Sequence, residues 1–420
     1  MRVKYLIVGA GMTGLAFANF IRSDDYLILD GSDEIGGWCK TIKQDGYVWD
    51  FSGHFFHFRR PDIEKYLVDR MPAGEVDTVV KSSKIYFSGT HIDFPFQKNI
   101  HQLPRQDFIE CLHDLVFRED GANKTFKEML VSKFGHAIAN KFLIPYNTKL
   151  YACDLDTLDA DAMGRFFPHA DLKDIVANMK AEDNQSYNAT FTYPKGGAIM
   201  YVDALASEVD PQKIALNERV EQVDLIEKTA VTSAGRTIEF EYLISSAPFD
   251  DFVQMTSPKL PVNSECLTKN QVLVFNLGFD RKGPEGVHWI YYPDDDLRFY
   301  RVGFYDNIVN SDRMSLYVEI GMPSGSKPDV KGELERVLVD LGRAGVVEDH
   351  QLVSWHTVTM NPAYVHINRD SREAVIKARQ LLQSRGVYTI GRYGGWTYCS
   401  IEDNIIEAQN LANELNLFEP

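Results

Sequence analysis

Basic side chains are scarce in this sequence. Of its 420 residues, 44 are Lys or Arg and 60 are Asp or Glu, so the formal net charge is −16. Binding to nucleic acid or to anionic lipid needs a basic surface, and we therefore expect neither. An anionic ligand would have to be held by a few arginines placed against the overall field. The hydrophobic fraction of 44% is ordinary for a globular chain.

Long apolar runs and paired cysteines are also lacking. No stretch of about 18 apolar residues occurs, so we predict no transmembrane helix and no membrane insertion. The apolar start has no basic region of the kind that precedes a signal sequence. The five cysteines are scattered without a C-x-x-C pair, which favours neither a disulfide framework nor a metal site. We expect a cytoplasmic protein with reduced thiols.

The N-terminus carries a dinucleotide-binding pattern. Residues 3–8 are an apolar run that predicts a buried strand, residues 13–22 have helical spacing, and residues 26–30 form a second apolar run. Gly9, Gly11 and Gly14 lie between the first strand and the helix. They would permit a tight turn, close approach to a pyrophosphate, and close helix–strand packing. Asp30 ends the second strand, where a carboxylate would accept ribose hydroxyl groups.

Further glycine doublets accompany the dinucleotide pattern. Gly36-Gly37 directly follows the second strand, and a Pro-x-Gly-Gly turn occupies residues 194–197. Residues 242–248 (YLISSAP) read as a strand and turn that return to the cofactor. This arrangement resembles the flavin amine oxidase superfamily, in which the cofactor is FAD.

Seven further segments carry a more specific pattern. They are residues 50–56 (DFSGHFF), 94–99 (FPFQKN), 145–151 (PYNTKLY), 188–191 (NATF), 289–291 (WIY), 299–301 (FYR) and 391–398 (GRYGGWTY). In order and rough spacing, over nearly the whole chain, they resemble one family within that superfamily, the UDP-galactopyranose mutases, and its eukaryotic branch in particular. Residues 52–54 (SGH) resemble that family's Gly-Gly-His motif beside the flavin.

The periodicity and this resemblance together imply a mixed α/β fold. Helical spacing is frequent in residues 105–180 and predicts single helices at residues 329–344 and 402–415. Residues 268–320 are rich in β-branched and aromatic residues with turns between them. We expect three domains, and the first, a Rossmann-like FAD-binding domain, is interrupted in sequence by a helical domain and a sheet domain. The expected boundaries are 1–75, 190–262 and 385–420 for the FAD-binding domain, 100–189 for a helical domain, and 76–99 with 263–384 for an antiparallel sheet domain that binds substrate.

The resemblance also implies a chemistry. The enzyme would be an isomerase that interconverts UDP-galactopyranose and UDP-galactofuranose for cell-surface polysaccharide biosynthesis. Its FAD would act in the reduced state, with NADPH or NADH as reductant, and flavin N5 would be the nucleophile at the anomeric carbon. The partner would be a UDP-sugar, and the protein a monomer or a homo-oligomer.

Site residues follow from the positions that match the family's motifs. Arg165, Arg301 and Arg392 would bind the diphosphate, because a guanidinium fits phosphate oxygens. The backbone carbonyl of His54 would face flavin N5. The remaining residues expected to bind FAD are Gly9, Gly11, Gly14, Asp30, Gly36, Gly37, Gly53, Gly391, Arg392 and Tyr398. Those expected to contact the substrate are Phe94, Phe96, Gln97 and Asn147 at the base, Tyr151 near it, Asn188, Trp289 at the sugar, and Tyr291, Tyr364 and Tyr398 at the phosphates.

Two departures leave alternatives open. Phe94 stands where the motif has Tyr, and Tyr151 stands where it has Trp, so another nucleotide sugar is an alternative substrate. A flavin oxidase or dehydrogenase acting on an amine, a porphyrinogen or a hydrophobic alcohol is the main rival, and it would have a largely apolar pocket. A catalytically silent FAD-bound scaffold is the third possibility.

Overall fold

The computed structural model describes residues 1–119, 121, 123–180 and 189–417. The strands are β1 Arg2–Val8, β2 Tyr26–Leu29, β3 Thr41–Gln44, β4 Tyr47–Asp50, β5 Val76–Val80, β6 Ser83–Phe87, β7 Thr90–Asp93, β8 Thr190–Pro194, β9 Ile214–Ala215, β10 Val220–Asp224, β11 Thr229–Thr232, β12 Thr237–Ser245, β13 Thr256–Ser257, β14 Asn270–Phe279, β15 Trp289–Tyr291, β16 Arg301–Phe304, β17 Ser315–Pro323, β18 Leu352–Met360 and β19 Val387–Thr389.

The helices follow the periodicity of the sequence. They are α1 Met12–Phe20, α2 Pro61–Val68, α3 Arg105–Val116, α4 Phe126–Ile138, α5 Ile144–Tyr151, α6 Leu172–Lys180, α7 Ile199–Ala206, α8 Phe249–Met255, α9 Tyr305–Val309, α10 Val330–Arg343, α11 Arg369–Gln383, α12 Gly391–Gly394 and α13 Ile401–Asn416. A π-helical turn, Ala139–Leu143, joins α4 to α5. The predicted helices in residues 105–180, 329–344 and 402–415 are confirmed.

An eight-stranded sheet carries the dinucleotide pattern. Its order is β13-β10-β11-β12-β1-β2-β9, and β19 also pairs with β12. β1 lies parallel to both β2 and β12, and β12 lies parallel to β19. α1 connects β1 to β2 and packs against the C-terminal helix α13. The predicted strand–helix–strand unit and the Rossmann-like character of the fold are confirmed.

A second sheet has seven strands in the order β18-β14-β17-β16-β15-β6-β7. The strands of residues 270–323 pair antiparallel, as predicted, but β15 pairs parallel with β6. The sequence showed no sign of this parallel pair, because β6 precedes β15 by about two hundred residues of chain. α10 covers one face of the sheet, where Val337 and Leu341 pack among its buried aliphatic and aromatic side chains.

The helical segment α3–α6 lies against the second sheet through α5. A side chain at Gly321 on β17 would lie 2.0 Å from the carbonyl oxygen of Lys149 on α5, so the contact requires glycine. β5 and β8 pair with each other, although the expected boundaries put them in different domains. Those boundaries stay a prediction. In the described part of the chain, no helix is long and apolar enough to cross a membrane.

Candidate active site

A cavity of about 680 Å³ is lined by residues of both large sheets and of the helical segment. This volume is typical of a pocket that takes a cofactor or a drug-sized ligand. The site residues expected from the sequence that line it are Gly9, Gly11, Asp30, Gly36, Gly37, Gly53, His54, Phe94, Asn147, Arg165, Trp289, Tyr291, Arg301, Tyr364, Arg392 and Tyr398. Gly14, Phe96, Gln97, Tyr151 and Gly391 lie behind its walls, and Asn188 lies outside the described residues.

One end of the cavity is built by the glycine-rich turn after β1. Gly9 has a φ of +106°, which only glycine adopts without strain. A Cβ at Gly14 would lie 1.9 Å from the carbonyl oxygen of Gly9, so Gly14 brings α1 close to β1, and it does not line the cavity. The Asp30 carboxylate accepts the backbone N–H of Ala10 at 2.7 Å and that of Ser32 at 2.8 Å. Asp30 thus fixes the turn while lining the cavity.

The doublet Gly36-Gly37 lies directly against this turn. The N–H of Gly36 donates to the carbonyl of Ala10 at 2.9 Å, and Gly36 forms a bridge with Gly11. A Cβ at Gly11 would meet Gly37 only at 3.8 Å, so the protein leaves space beside the start of α1. A glycine-lined space at a helix N-terminus fits a pyrophosphate, which needs no side-chain charge there. These residues therefore fit the FAD that the sequence predicts.

Gly391 makes contacts within the protein behind the cavity wall, and its expected contact with FAD stays a prediction. Its N–H donates to the Glu407 carboxylate at 2.8 Å, and a Cβ there would lie 2.5 Å from the Thr13 hydroxyl. Gly391 therefore lets α12 begin against α1, and it supports the wall of the cavity from behind.

The turn at residues 52–54 is anchored by a buried carboxylate, Asp50. It accepts the Thr41 hydroxyl at 2.6 Å, the Ala198 N–H at 2.9 Å and the Tyr193 hydroxyl at 2.9 Å. Burial raises the pKa of Asp50 to about 6, although these donors act in the opposite direction. Asp50 ties the end of β4 to the Pro-x-Gly-Gly turn, and so positions the residues that follow.

His54 is held as a neutral imidazole. Its Nδ1 lies 3.1 Å from the carbonyl oxygen of Ser52. Burial lowers the pKa of His54 to about 4, although the charge of Glu319 opposes this. The proposed contact between its backbone carbonyl and flavin N5 stays a prediction.

The cavity is also lined by two arginines, Arg301 and Arg392. Arg301 donates from Nε and Nη2 to the two carboxylate oxygens of Glu319, each at 2.7 Å. Burial raises the pKa of Glu319, but the contact with Arg301 outweighs it and leaves that pKa lowered. Among the described residues, the third nitrogen of Arg301, Nη1, has no hydrogen-bond partner. Arg392 donates from Nη1 to the carbonyl oxygen of Cys399 at 3.0 Å.

Tyrosines surround these guanidinium groups. The Arg392 guanidinium lies 4.6 Å from the ring centre of Tyr398 and 5.2 Å from that of Tyr364. Trp289 donates from Nε1 to the Tyr291 hydroxyl at 2.8 Å. The Tyr291 hydroxyl therefore accepts from Trp289, and its own proton is available to a ligand.

Arg165 is bound to a carboxylate at the rim of the cavity. Its Nη2 donates to the Asp403 oxygens at 2.7 and 2.5 Å, and the Arg59 guanidinium donates to the same carboxylate at 2.9 Å. Asp403 is in the first turn of α13. Arg165 is therefore brought to the cavity but engaged by the protein.

The expected base pocket is only partly formed by the expected residues. Phe94 lines it and lies 4.9 Å from Tyr291, ring centre to ring centre. Asn147 also lines it, and donates to the Leu143 carbonyl at 2.6 Å while its Oδ1 has no partner among the described residues. Gln97 donates to the carbonyl of Pro168, and its Oε1 is likewise buried without a described partner.

Phe96 and Tyr151 belong to the packing behind the pocket. Phe96 is fully buried and stacks on Phe142 at 5.1 Å. Tyr151 is 1% exposed and packs edge-on against Tyr364 at 5.7 Å. Tyr151, which stands where the family motif has Trp, thus packs behind Tyr364, which lines the cavity.

Several residues of the site were missed from the sequence. Glu319 is the clearest, and the only available signal was a charged residue inside the apolar strand β17. Tyr317 lines the cavity as well, and its ring occupies space that a side chain at either Gly53 or Gly303 would fill. The Glu402 carboxylate also lines the cavity, and it accepts the backbone N–H groups of Arg59 and Arg60 at 2.8 Å each.

Comparison with known proteins agrees with this geometry. A reduced UDP-galactopyranose mutase has a crystal structure that matches with a TM-score of 0.91 at 24% identity, over 99% of this chain and 94% of that one. Cyclohexylamine oxidase from Brevibacterium oxydans IH-35A matches with a TM-score of 0.70 at 15% identity, over 99% and 98%. Putrescine oxidase matches with a TM-score of 0.65 at 15% identity, over 99% of each chain.

These likenesses establish the fold and confirm the resemblance to UDP-galactopyranose mutase at that level. The family model described as flavin containing amine oxidoreductase matches residues 12–416. This range includes both glycine doublets, the turn at residues 52–54, Arg301 and Arg392. The cavity that begins at the glycine-rich turn fits the FAD that the sequence predicts, and the chain belongs to the flavin containing amine oxidoreductases.

Proposed function

We propose that this protein is an FAD-dependent mutase that interconverts the pyranose and furanose forms of a nucleotide sugar, with UDP-galactopyranose and UDP-galactofuranose as the foremost substrates. The observation that carries the proposal is the pair Arg301 and Arg392 in the same cavity as the turn at residues 52–54. In a chain with a net charge of −16, guanidinium groups in a cavity indicate an anionic ligand.

A diphosphate suits the part of the cavity around Arg301 and Tyr291 better than an amine does. Arg301 has Nη1 directed to no described partner, and Tyr291 has its hydroxyl proton available because Trp289 already donates to its oxygen. Such fixed donors stabilise the negative charge that develops when a nucleoside diphosphate leaves the anomeric carbon. An amine substrate would meet like charge there.

The cofactor supplies the nucleophile of this chemistry at its N5 when it is reduced, and we propose NADPH or NADH as reductant. The protein's part is to bind, orient and exclude water. The neutral His54 adds no positive charge beside the flavin, and the Asp50 network fixes the turn that carries it. Arg165 would leave Asp403 to reach a bound diphosphate.

The base would lie between Phe94 and the Asn147 amide, which both line the cavity. Phe94 offers an aromatic face, and the Asn147 Oδ1, which has no partner among the described residues, is an acceptor for a base N–H. The imide N–H of uracil is a donor that suits it. We therefore propose a uridine nucleotide, made and used in the cytoplasm for surface polysaccharide.

One observation favours the rival, an oxidase of an apolar amine. Phe55 follows His54, stacks on Trp289 at 5.3 Å and lies 4.9 Å from Phe191. Aromatic side chains at the flavin end would suit an apolar substrate. In our proposal they form the face against which the sugar ring packs.

The test is direct. The FAD-loaded protein is reduced with dithionite or NADPH, UDP-galactofuranose is added, and UDP-galactopyranose is sought by anion-exchange chromatography. The matched variant is Arg301→Lys, which keeps the charge but not the bidentate geometry. It should lower kcat/KM by about tenfold or more. Conversion of no nucleotide sugar by the reduced enzyme, together with oxidation of cyclohexylamine or putrescine, would replace the mutase proposal by the oxidase.

A further inference from the structure

Glu319 is shared by donors from two different parts of the site. It is 1% exposed, and it faces Arg301 directly across the pair of strands β16 and β17. Arg301 donates to both of its oxygens at 2.7 Å. The Ser52 hydroxyl donates to Oε1, the oxygen that already accepts Nη2 of Arg301. Glu319 thus has partners on both oxygens, as a buried carboxylate requires.

Ser52 also organises the turn on the flavin side of the cavity. Its carbonyl oxygen accepts the N–H of His54 at 2.8 Å and the Tyr305 hydroxyl at 3.2 Å, and it lies 3.1 Å from His54 Nδ1. The backbone of Ser52 is therefore fixed independently of its side chain. The hydroxyl is directed at Glu319 by a rigid turn, so it restrains the carboxylate more than a mobile side chain would.

The position of the Arg301 guanidinium depends on this restraint. A bidentate arginine–carboxylate pair is planar, so rotation of the carboxylate turns the guanidinium and moves Nη1 with it. The strand register fixes where the two backbones lie, but not the torsion angles at the end of the Glu319 side chain. Besides the two contacts with Arg301 and one with the Tyr300 side chain, Ser52 supplies a further contact that restrains those torsions.

We propose that Ser52 is a positioning residue for Arg301, acting through Glu319, and that it sets the affinity of the cavity for a diphosphate. The inference rests on the proposed function for the identity of the ligand, while the contacts among these side chains belong to the chain itself. The Gly-Gly-His motif that residues 52–54 resemble has glycine in place of Ser52. Glycine offers no hydroxyl, so a chain with that motif lacks this link.

The experiment measures binding of UDP and of inorganic pyrophosphate to the FAD-loaded protein by calorimetry. The variants are Ser52→Ala, Ser52→Thr and Ser83→Ala. Ser83 is the matched control, because it is a buried serine whose hydroxyl has no hydrogen-bond partner among the described residues. It lies on β6, in the sheet that carries Arg301 and Glu319. Each variant is also made with Arg301→Lys, whose ammonium cannot be held in the bidentate geometry.

Ser52→Ala should weaken binding of both probes by roughly three- to tenfold, because a hydrogen bond to a charged group is lost one step from the ligand. Ser52→Thr, which keeps the hydroxyl, should restore most of the affinity, and Ser83→Ala should leave it unchanged. With Arg301→Lys present, Ser52→Ala should have little further effect, since the two act as one unit.

An equal loss in both backgrounds would mean that Ser52 does not act through Arg301, and unchanged affinity in Ser52→Ala would mean that it does not act at all. Binding of pyrophosphate without binding of UDP would refute the proposed function alone, and the Ser52 comparison would then be made with pyrophosphate. Binding of neither probe by the wild type would overturn the inference too, because Arg301 would then face no anion site.

Discussion

Replacement by alanine should affect different properties at Gly11 and at Gly14. It should weaken FAD binding at Gly11 and destabilise the fold at Gly14. At Gly14 the new methyl would lie 1.9 Å from the carbonyl oxygen of Gly9, whereas at Gly11 its nearest neighbour would be Gly37 at 3.8 Å. Neither residue has a positive φ. The comparison therefore isolates steric contact from backbone strain, and it separates a packing role from a cofactor role within one motif.

The distances give the expected magnitudes. A carbon–oxygen contact of this kind settles at about 3.3 Å, so Gly14→Ala must move α1 away from β1 by about 1.4 Å. Because the obstructing atom is backbone, we expect this shift to lower the free energy of unfolding by about 3 kcal/mol. Alanine inside a helix returns about 1 kcal/mol, so the apoprotein should lose about 2 kcal/mol. Gly11 is the N-cap of α1, where alanine costs about 1 kcal/mol or less.

FAD binding should respond in another order. The Gly11→Ala methyl projects into the space where the pyrophosphate would lie, so FAD affinity should fall by about 30-fold or more, the equivalent of about 2 kcal/mol. The assays are urea unfolding of each apoprotein and titration with FAD followed by quenching of flavin fluorescence. Equal destabilisation of both apoproteins, or native FAD affinity in Gly11→Ala, would refute the assignment of the two roles.

The other predictions concern charged groups. Burial raises the pKa of Asp50 from its ordinary value of 3.8 to about 6, so the folded state holds its proton more tightly and stability falls as pH rises from about 4 to 6. In Asp50→Asn this decline, at most about 3 kcal/mol, should vanish from urea unfolding curves. Asp403→Asn keeps a side-chain oxygen for the N–H of Ser400, the N-cap of α13, but releases Arg165, so UDP affinity should rise a few-fold in low salt and less at 0.5 M salt. Lys149→Met removes the donor that three carbonyl oxygens share at 2.8–3.1 Å, and should lower the free energy of unfolding by about 2–3 kcal/mol.

Each of these has a clear contrary result. A pH dependence that survives in Asp50→Asn would mean that another group titrates in that range. UDP affinity that is unchanged or lower in Asp403→Asn at low salt would mean that Arg165 does not compete between the carboxylate and the ligand. Native stability in Lys149→Met would mean that water replaces the ammonium on those carbonyls.

Local patterns carried much of the fold. Gly9, Gly11 and Gly14 could be read from the sequence because their roles depend on neighbours within one strand–turn–helix unit. Helices with an apolar stripe, such as α10 and α13, were predicted for the same reason. The parallel pair of β6 and β15 could not be, since no local signal joins strands so far apart in the chain.

The candidate site was predictable where motifs matched and not where register decides. Arg301 was identified, but its partner Glu319 depends on which residue of β17 lies opposite it. Gln97 and Tyr151 matched motif positions, yet the packing of α5 and of the turn near Pro168 places them behind the cavity wall. A motif names a residue, but its direction depends on contacts from distant segments.

The pairing of β19 with β12, and of α13 with α1, has a consequence for how the protein is made. The dinucleotide turn is synthesised well before the helix that packs against it. Contacts between segments far apart in a sequence give high contact order and slow folding. We therefore expect that nascent chains cannot capture FAD until α13 has left the ribosome, so that bound flavin reports the packing of α13 against α1.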